Sequence, residues 1–362
     1  MNRRIGVYLH IPFCAGKCPY CDFYSRRGSE EEYDRFADAM VRAIGSAPGG
    51  EADTVYFGGG TPVLLGERRL LRLLDAVSRR FGSGWREVTV EANPCAVSPP
   101  MLRALKAGGF TRLSFGVQSL SDLTLRTLGR RHDAARALSA IDEAAAAGFA
   151  HLSADLMLAV PGQTVQEIER SIDRLAETPI DHLSAYLLKL EPGTVFAQRY
   201  PEAEEDFAAA CYLAMVHRCE QHGFSQYEIS NFARGEGAQS LHNLRYWHCE
   251  EYLGIGPAAH SFLGGRRFFF PRDLDGFLRA SDVWATAVDD GGGGDEEERL
   301  MLALRLTEGV LLDSLSPGRR ASIETAAPRL AEAGLLRIKQ GRISLTPEGF
   351  LVSNAVIAML LE

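Results

Sequence analysis

No apolar run in the sequence approaches the ~18 residues that a membrane-spanning helix needs, which argues against an integral membrane protein. A secretory leader is not expected either. Met1-Asn2-Arg3-Arg4 passes straight into Ile5-Gly6-Val7-Tyr8-Leu9-His10, too short and too polar for one. A cytoplasmic protein is therefore expected, and peripheral contact with a membrane is compatible with such a chain. There is no basic excess: 39 Lys+Arg stand against 47 Asp+Glu, a net charge of −8. A chain whose main partner is a phosphate backbone is normally basic, so no nucleic-acid partner is expected. A paired cysteine framework is also missing. The seven cysteines are an odd count in a chain without an export signal, which implies reduced thiols available for metal or redox chemistry. With 362 residues, 46% of them hydrophobic, the chain can bury a core without disulfide or metal.

What is present is an alternation. Apolar, β-branched runs at 6–11, 54–57, 88–90, 113–117, 152–160 and 183–190 predict strands. Amphipathic stretches at 30–44, 67–81, 100–107, 134–147, 165–176 and 204–222 predict helices between them, with left-handed C-caps at Gly82, Gly108, Gly148 and Gly223. About six βα units imply an α/β fold with a parallel sheet, either a closed or partly closed barrel or a doubly wound open sheet. The barrel is favoured because nearly every polar or glycine-rich motif follows a strand, where barrels build their sites. Three domains are expected: a β/α core over 1–224, a loop-rich extension over 225–290, and a small C-terminal domain over 291–362. The acidic, glycine-rich run Asp289 to Glu298 reads as a linker leading into a helix. Helices at 298–306 and 322–333, a hairpin turning at Gln340-Gly341, and a final helix at 347–361 resemble a winged helix. Basic residues in this tail (Arg319, Arg320, Arg337, Lys339, Arg342) leave a DNA-binding module as a minor reading.

The densest chemistry is Cys14-Ala15-Gly16-Lys17-Cys18-Pro19-Tyr20-Cys21, a C-x3-C-x2-C loop after the first strand. Three thiolates on a short loop can hold three corners of a [4Fe–4S] cluster and leave the fourth iron without a protein ligand. Zinc competes, but a structural zinc needs a fourth ligand, for which His10 is the nearest candidate. After the second strand comes Gly58-Gly59-Gly60-Thr61-Pro62, where missing side chains let a ligand approach the backbone. Gly254-Ile255-Gly256-Pro257 loosely imitates a dinucleotide fingerprint and is read as a turn, since no βαβ start precedes it.

Together, Tyr8-Leu9-His10-Ile11-Pro12-Phe13-Cys14, the cysteine loop and the GGGTP segment resemble the radical S-adenosylmethionine (SAM) superfamily, and within it the oxygen-independent coproporphyrinogen III oxidase group. The resemblance implies a partial (β/α)6, TIM-like radical SAM barrel followed by a small winged-helix-like α+β domain. It implies a [4Fe–4S] cluster on Cys14, Cys18 and Cys21, with SAM on its open iron and a 5′-deoxyadenosyl radical as the reactive product of SAM cleavage. Gly59, Gly60 and Thr61 would then meet the methionyl end of SAM. Tyr8 and Tyr20 would flank cluster and adenine, Glu91 and Gln118 would sit at cofactor positions, Arg130 would pair with the SAM carboxylate, and Asp155 would accept the ribose hydroxyls.

Two features choose a branch. Where the coproporphyrinogen dehydrogenases carry a further cysteine, this sequence has Phe23. In addition, His242-Asn243-Leu244-Arg245-Tyr246-Trp247 matches the HNxxYW motif of the haem chaperone branch, HemW. The resemblance thus implies haem as cargo, held at His242 with aromatic rings nearby and passed to acceptor haemoproteins, including those of the respiratory chain; His248, Cys249 and His260 are rival axial ligands. The alternative is an enzyme that decarboxylates coproporphyrinogen III propionates.

Overall fold

The computed structural model describes residues 4–362; residues 1–3, at the head of the expected first domain, lie outside the described residues. Six strands form the core: β1 (Arg4–Ile11), β2 (Glu51–Gly59), β3 (Glu87–Ala92), β4 (Arg112–Gln118), β5 (His151–Leu158) and β6 (His182–Leu187). Between and after them run α1 (Glu30–Gly45), α2 (Gly66–Phe81), α3 (Pro99–Ala107), α4 (Asp122–Thr127), α5 (Ala134–Ala146), α6 (Val165–Ala176), α7 (Val195–Arg199) and α8 (Glu205–Gln221). Each of the first five strands pairs parallel with the next.

The strands divide their side chains by parity. Val7, Leu9 and Ile11, Val55 and Phe57, Val88 and Val90, Leu113, Phe115 and Val117 are buried in one hydrophobic core with Phe36, Met40 and Ile44 of α1 and Leu70, Leu73 and Val77 of α2. The alternate positions carry Tyr8 and His10, Thr54 and Tyr56, Thr89 and Glu91, Arg112 and Ser114, Ser153 and Asp155. One face of the sheet therefore binds the helices, and the other is a polar concave wall.

Capping sets the helix starts. Ser29 and Glu32 bond reciprocally at α1, as Thr164 and Glu167 do at α6. Gly82, Gly148 and Gly223 take the expected left-handed conformation, but Gly108 does not (φ −79°); the next residue, Gly109, does so at φ +108°. Strand β5 stops at Leu158, short of the expected 160, because Ala159 turns to φ +56°.

The expected loop-rich extension extends the sheet instead. It holds β7 (Ser225–Gln226), β8 (Asn231–Ala233), α9 (Leu241–Trp247), β9 (Tyr252–Ile255), β10 (His260–Leu263), β11 (Arg266–Phe269), α10 (Leu274–Arg279) and β12 (Val288–Gly292). Strand β9 joins β1 in parallel and β8 joins β6 antiparallel, giving the order β12-β11-β10-β9-β1-β2-β3-β4-β5-β6-β8-β7. The six parallel strands thus do not close on one another, and the barrel is partial. Two sequence readings are corrected here. The start of the acidic run is an edge strand, because Asp289 and Gly292 find ladder partners on β11, so the expected boundary at 290 falls inside β12. Gly254 and Ile255 lie in β9, and only Gly256 (φ +119°) begins the turn.

The C-terminal segment comprises α11 (Glu296–Ala303), β13 (Val310–Leu311), α12 (Pro317–Glu332), β14 (Leu336–Lys339), β15 (Arg342–Leu345), α13 (Pro347–Leu351) and α14 (Ser353–Leu361), with a three-stranded sheet ordered β13-β15-β14. The hairpin turns at Gln340 and Gly341, both at positive φ. Helix α12 begins earlier than expected, at Pro317, a residue whose fixed φ suits a first helical turn. The expected last helix is broken at Val352.

Candidate functional site

The cysteine loop leaves the C-terminal end of β1 and is fastened on both sides. Cys14 N–H donates to the Arg26 carbonyl at 3.0 Å, while Gly60 N–H and Thr61 N–H donate to the carbonyls of Ile11 (2.8 Å) and Phe13 (2.7 Å). A Cβ on Gly60 would lie 2.5 Å from the Phe13 carbonyl oxygen, so only glycine lets the GGGTP loop lie against the cysteine loop. Cys14, Cys18 and Cys21 are free and half-buried. Cys14 Sγ lies 3.7 Å from Thr61 Oγ1, and Arg130 Nη1 donates to Cys18 Sγ at 3.5 Å. Burial pushes the Cys21 thiol up, and the neighbouring Cys18 and Cys14 add to the rise. A cation bound by all three thiolates would relieve that repulsion.

His10 is unavailable as a fourth ligand to zinc. Its Nε2–H donates to the Tyr24 carbonyl at 3.1 Å and its Nδ1 accepts from Tyr8 Oη at 3.1 Å, which uses both nitrogens. Burial lowers its pKa to about 4. Among the described residues, no three His, Cys, Asp or Glu side chains gather as a single ion requires. Thiols on the separated corners of a cubane do not need that convergence.

Behind the loop, the concave wall brings the remaining candidates together. Glu91 accepts from Gly59 N–H at 3.1 Å and from Tyr56 Oη at 2.8 Å. Burial raises its pKa to about 7 against the pull of the Tyr56 hydroxyl, and the Asp155 charge pushes further upward. Asp155 is raised to about 6 by burial, partly offset by hydroxyls of Ser184 and Ser114 and by Arg130. Gln118 ends β4 at φ +68°, a costly conformation for a side chain of this type. Its amide nitrogen and the Arg130 guanidinium both crowd the space where a Gly116 Cβ would be. Arg130 Nη2 donates to the Gly116 carbonyl at 2.7 Å, but its buried Nε has no partner. Tyr20 packs edge-on to Phe196 near Arg130, with its hydroxyl pushed far up by burial.

Two carboxylates that hold their protons too tightly thus line one polar cavity, and a guanidinium with an unsatisfied N–H bonds one of the three thiols. These groups fit a zwitterionic, cationic ligand such as SAM: carboxylates for cation and hydroxyls, and a charged donor for a carboxylate.

His242 lies elsewhere. It is fully buried on α9, with Nδ1 2.8 Å from Thr54 Oγ1 and Nε2 2.9 Å from Tyr246 Oη. Tyr56 and Tyr8 flank its ring at 5.2 and 6.5 Å. A neutral imidazole has one N–H and one lone pair, and both are used here. Burial lowers its pKa to about 3, assisted by Arg245. The aromatic surroundings foreseen from the motif are present, while the imidazole is enclosed. Helix α9 forms the floor of the half-barrel. Glu87 accepts from the N–H groups of His242 (3.0 Å) and Leu241 (3.3 Å), and Arg112 Nε donates to Glu87 at 2.8 Å. Above this floor, Arg112, Thr89, Ser240 and Asn243 help line the polar cavity, about 50 Å³, that Glu91 and Asp155 also face.

Tyr56, Ser114, Ser184 and Arg112 escaped the sequence reading. Their signal was a polar residue at every second position of otherwise apolar strands.

Residues 8–175 match the Radical SAM superfamily, and residues 296–352 match the HemN C-terminal domain. Over 377 residues the chain is 36% identical to "Heme chaperone HemW" of Mycobacterium tuberculosis, spanning 99% of this chain and 95% of that one. It is 34% identical to the protein of the same name from Bacillus subtilis, over 98% and 99% of the two chains. Its fold is similar to that of Escherichia coli coproporphyrinogen III oxidase HemN, with a TM-score of 0.84 at 21% identity, over 99% and 90% of the two chains. The chain belongs to the heme chaperone HemW family of the radical SAM superfamily.

Proposed function

We propose that this protein is a haem chaperone that holds a [4Fe–4S] cluster on Cys14, Cys18 and Cys21, binds SAM against the concave wall, and delivers haem to acceptor haemoproteins, those of the respiratory chain among them, in the cytoplasm. The observation that carries the cofactor part is the meeting of three free thiols with Arg130, whose Nη1 bonds Cys18 while its Nε is unpaired. When bound, the cluster supplies an iron with an open coordination position and a one-electron couple. The chain's own residues do the rest. Arg130 would answer a ligand carboxylate, Glu91 and Asp155 would hold cationic and hydroxyl groups, and the GGGTP loop, whose Gly59, Gly60 and Thr61 N–H groups are already donated within the protein, would offer the ligand carbonyl oxygens. Tyr8 and Tyr20 line the approach. The full-length likeness to HemW proteins supports haem as the cargo, and no described helix is long and apolar enough to cross a membrane.

Anaerobic iron and sulfide analysis, with EPR before and after SAM addition, tests the cofactor reading. About four irons per chain are expected, with a signal that SAM perturbs, and both are lost when the three cysteines become alanine. Iron without sulfide would overturn it. Supplying coproporphyrinogen III, SAM and a reductant tests the enzymatic alternative; steady formation of protoporphyrinogen would replace the chaperone reading.

A further inference from the structure

The chain has nine histidines. Eight of them, all but His260, have at least one ring nitrogen hydrogen-bonded. His10, His182 and His242 use both nitrogens, and His132 bonds the Val117 carbonyl. His151, His217, His222 and His248 bond Asp181, Gln221, Asp173 and Glu308. The exposed ring of His260 has no hydrogen-bond partner among the described residues.

Its place follows from strand register. Tyr8 is opposite Gly254 on β9; the Phe262–Tyr252 pair puts His260 opposite Gly254; His260 pairs with Phe269, and Phe269 with Val288. Residues paired across strands share a face. The row Tyr8, Gly254, His260, Phe269, Val288 therefore runs from the half-barrel's concave wall out onto the added strands, and the His260 carbonyl oxygen lies against the place a Gly254 Cβ would take, so only glycine admits this close approach. The His260 ring stacks on Phe269 at 5.2 Å and 26°, which fixes its orientation. Burial lowers its pKa, as do Arg272 and Arg267, while Asp290 opposes them, so the imidazole is neutral near pH 7. Arg267 is committed to Glu298 and Tyr252. Arg272 reaches Asp22 at 3.2 Å, next to Phe23, whose ring is 67% exposed beside the cysteine loop.

We infer that His260 is the axial base for the iron of the cargo haem, with Phe269 and Phe23 as apolar surface for the porphyrin and Arg272 as the partner of a propionate. An iron porphyrin needs an unencumbered lone pair, a flat apolar face and a cation for its carboxylates, and this patch offers all three beside the cluster loop. His242 then keeps the barrel floor in place. This inference rests on the haem-chaperone reading.

The test is anaerobic titration of the full-length, cluster-loaded protein with ferric haem, followed by Soret absorption and low-temperature EPR, with iron content as a check on folding. Wild type is expected to bind with a histidine-ligated spectrum. His260→Ala is expected to lose at least tenfold in affinity and that spectrum, with the cluster retained, and His260→Gly is expected to recover the spectrum with added imidazole. Arg272→Ala should weaken binding without changing the ligand field. An unchanged spectrum and affinity in His260→Ala overturns the inference, as does loss confined to a folded His242→Ala. Failure of wild type to bind haem instead overturns the chaperone reading.

Discussion

Tyr56 donates its phenolic hydrogen to Glu91 at 2.8 Å while its ring lies 5.2 Å from that of His242. One side chain thus joins the floor of the half-barrel to the carboxylate that receives Gly59 N–H from the GGGTP loop. Tyr8 makes a second link, its ring 6.5 Å from that of His242 and its hydroxyl bonded to His10.

Glu91 sets the pH response of the ligand-free protein. Its carboxyl is held at about 7 against an ordinary 4.5, so the fold binds this proton more tightly than the unfolded chain does. That contribution is complete below about 4.5 and is lost as pH rises through 7, at most about 3 kcal/mol. Asp155, at about 6, acts in the same direction. Denaturation midpoints should fall between pH 5 and 8, and Glu91→Gln should flatten much of that slope. SAM affinity should rise over the same interval in wild type only, which calorimetry can follow.

Arg130→Gln should leave the iron content near wild type while weakening SAM binding about 10- to 100-fold, the cost of a charge-assisted hydrogen bond in a buried site. Equilibrium dialysis of the reconstituted protein measures it. Equal loss of iron and SAM would assign Arg130 to the cluster instead.

Gly60→Ala places a methyl 2.5 Å from the Phe13 carbonyl oxygen and 2.9 Å from that of Ile11, both backbone atoms that cannot swing aside. Strain of this kind costs about 1–3 kcal/mol. A melting temperature lower by roughly 2–10 °C is expected, together with faster bleaching of the cluster in air.

Glu87→Gln keeps the volume of the side chain but removes the charge opposite Arg112, in a pair that is 2% and 3% exposed. An uncompensated buried charge costs about 3–5 kcal/mol. Chemical denaturation should report that loss, and because Glu87 also receives His242 N–H, the Tyr56–Glu91 contact should loosen with it.

Much of this was legible in the sequence where the signal is local. The C-x3-C-x2-C loop, GGGTP, the six strands and the main helices depend on neighbours a few residues apart, and the structure places them within a few positions of expectation. What was missed depends on distant partners. Val288–Gly292 reads as a linker because Asp and Gly disfavour strands, yet β11 supplies its ladder. The 252–269 region reads as loops because four-residue strands give too few alternations to count. The HNxxYW motif was visible, whereas the enclosure of its histidine depends on Thr54, 188 residues earlier.

Arg272 and Asp22, which meet at the cysteine loop, are 250 residues apart, as are Leu274 N–H and the Tyr24 hydroxyl. At about 5–20 residues per second, a ribosome needs on the order of 10–50 s to travel between them. During translation the thiols emerge long before their flanking cover, so a nascent chain exposes its cysteine loop to oxidants and to iron donors alike. If the loop takes a cluster as proposed, its loading has an early window that the finished fold narrows.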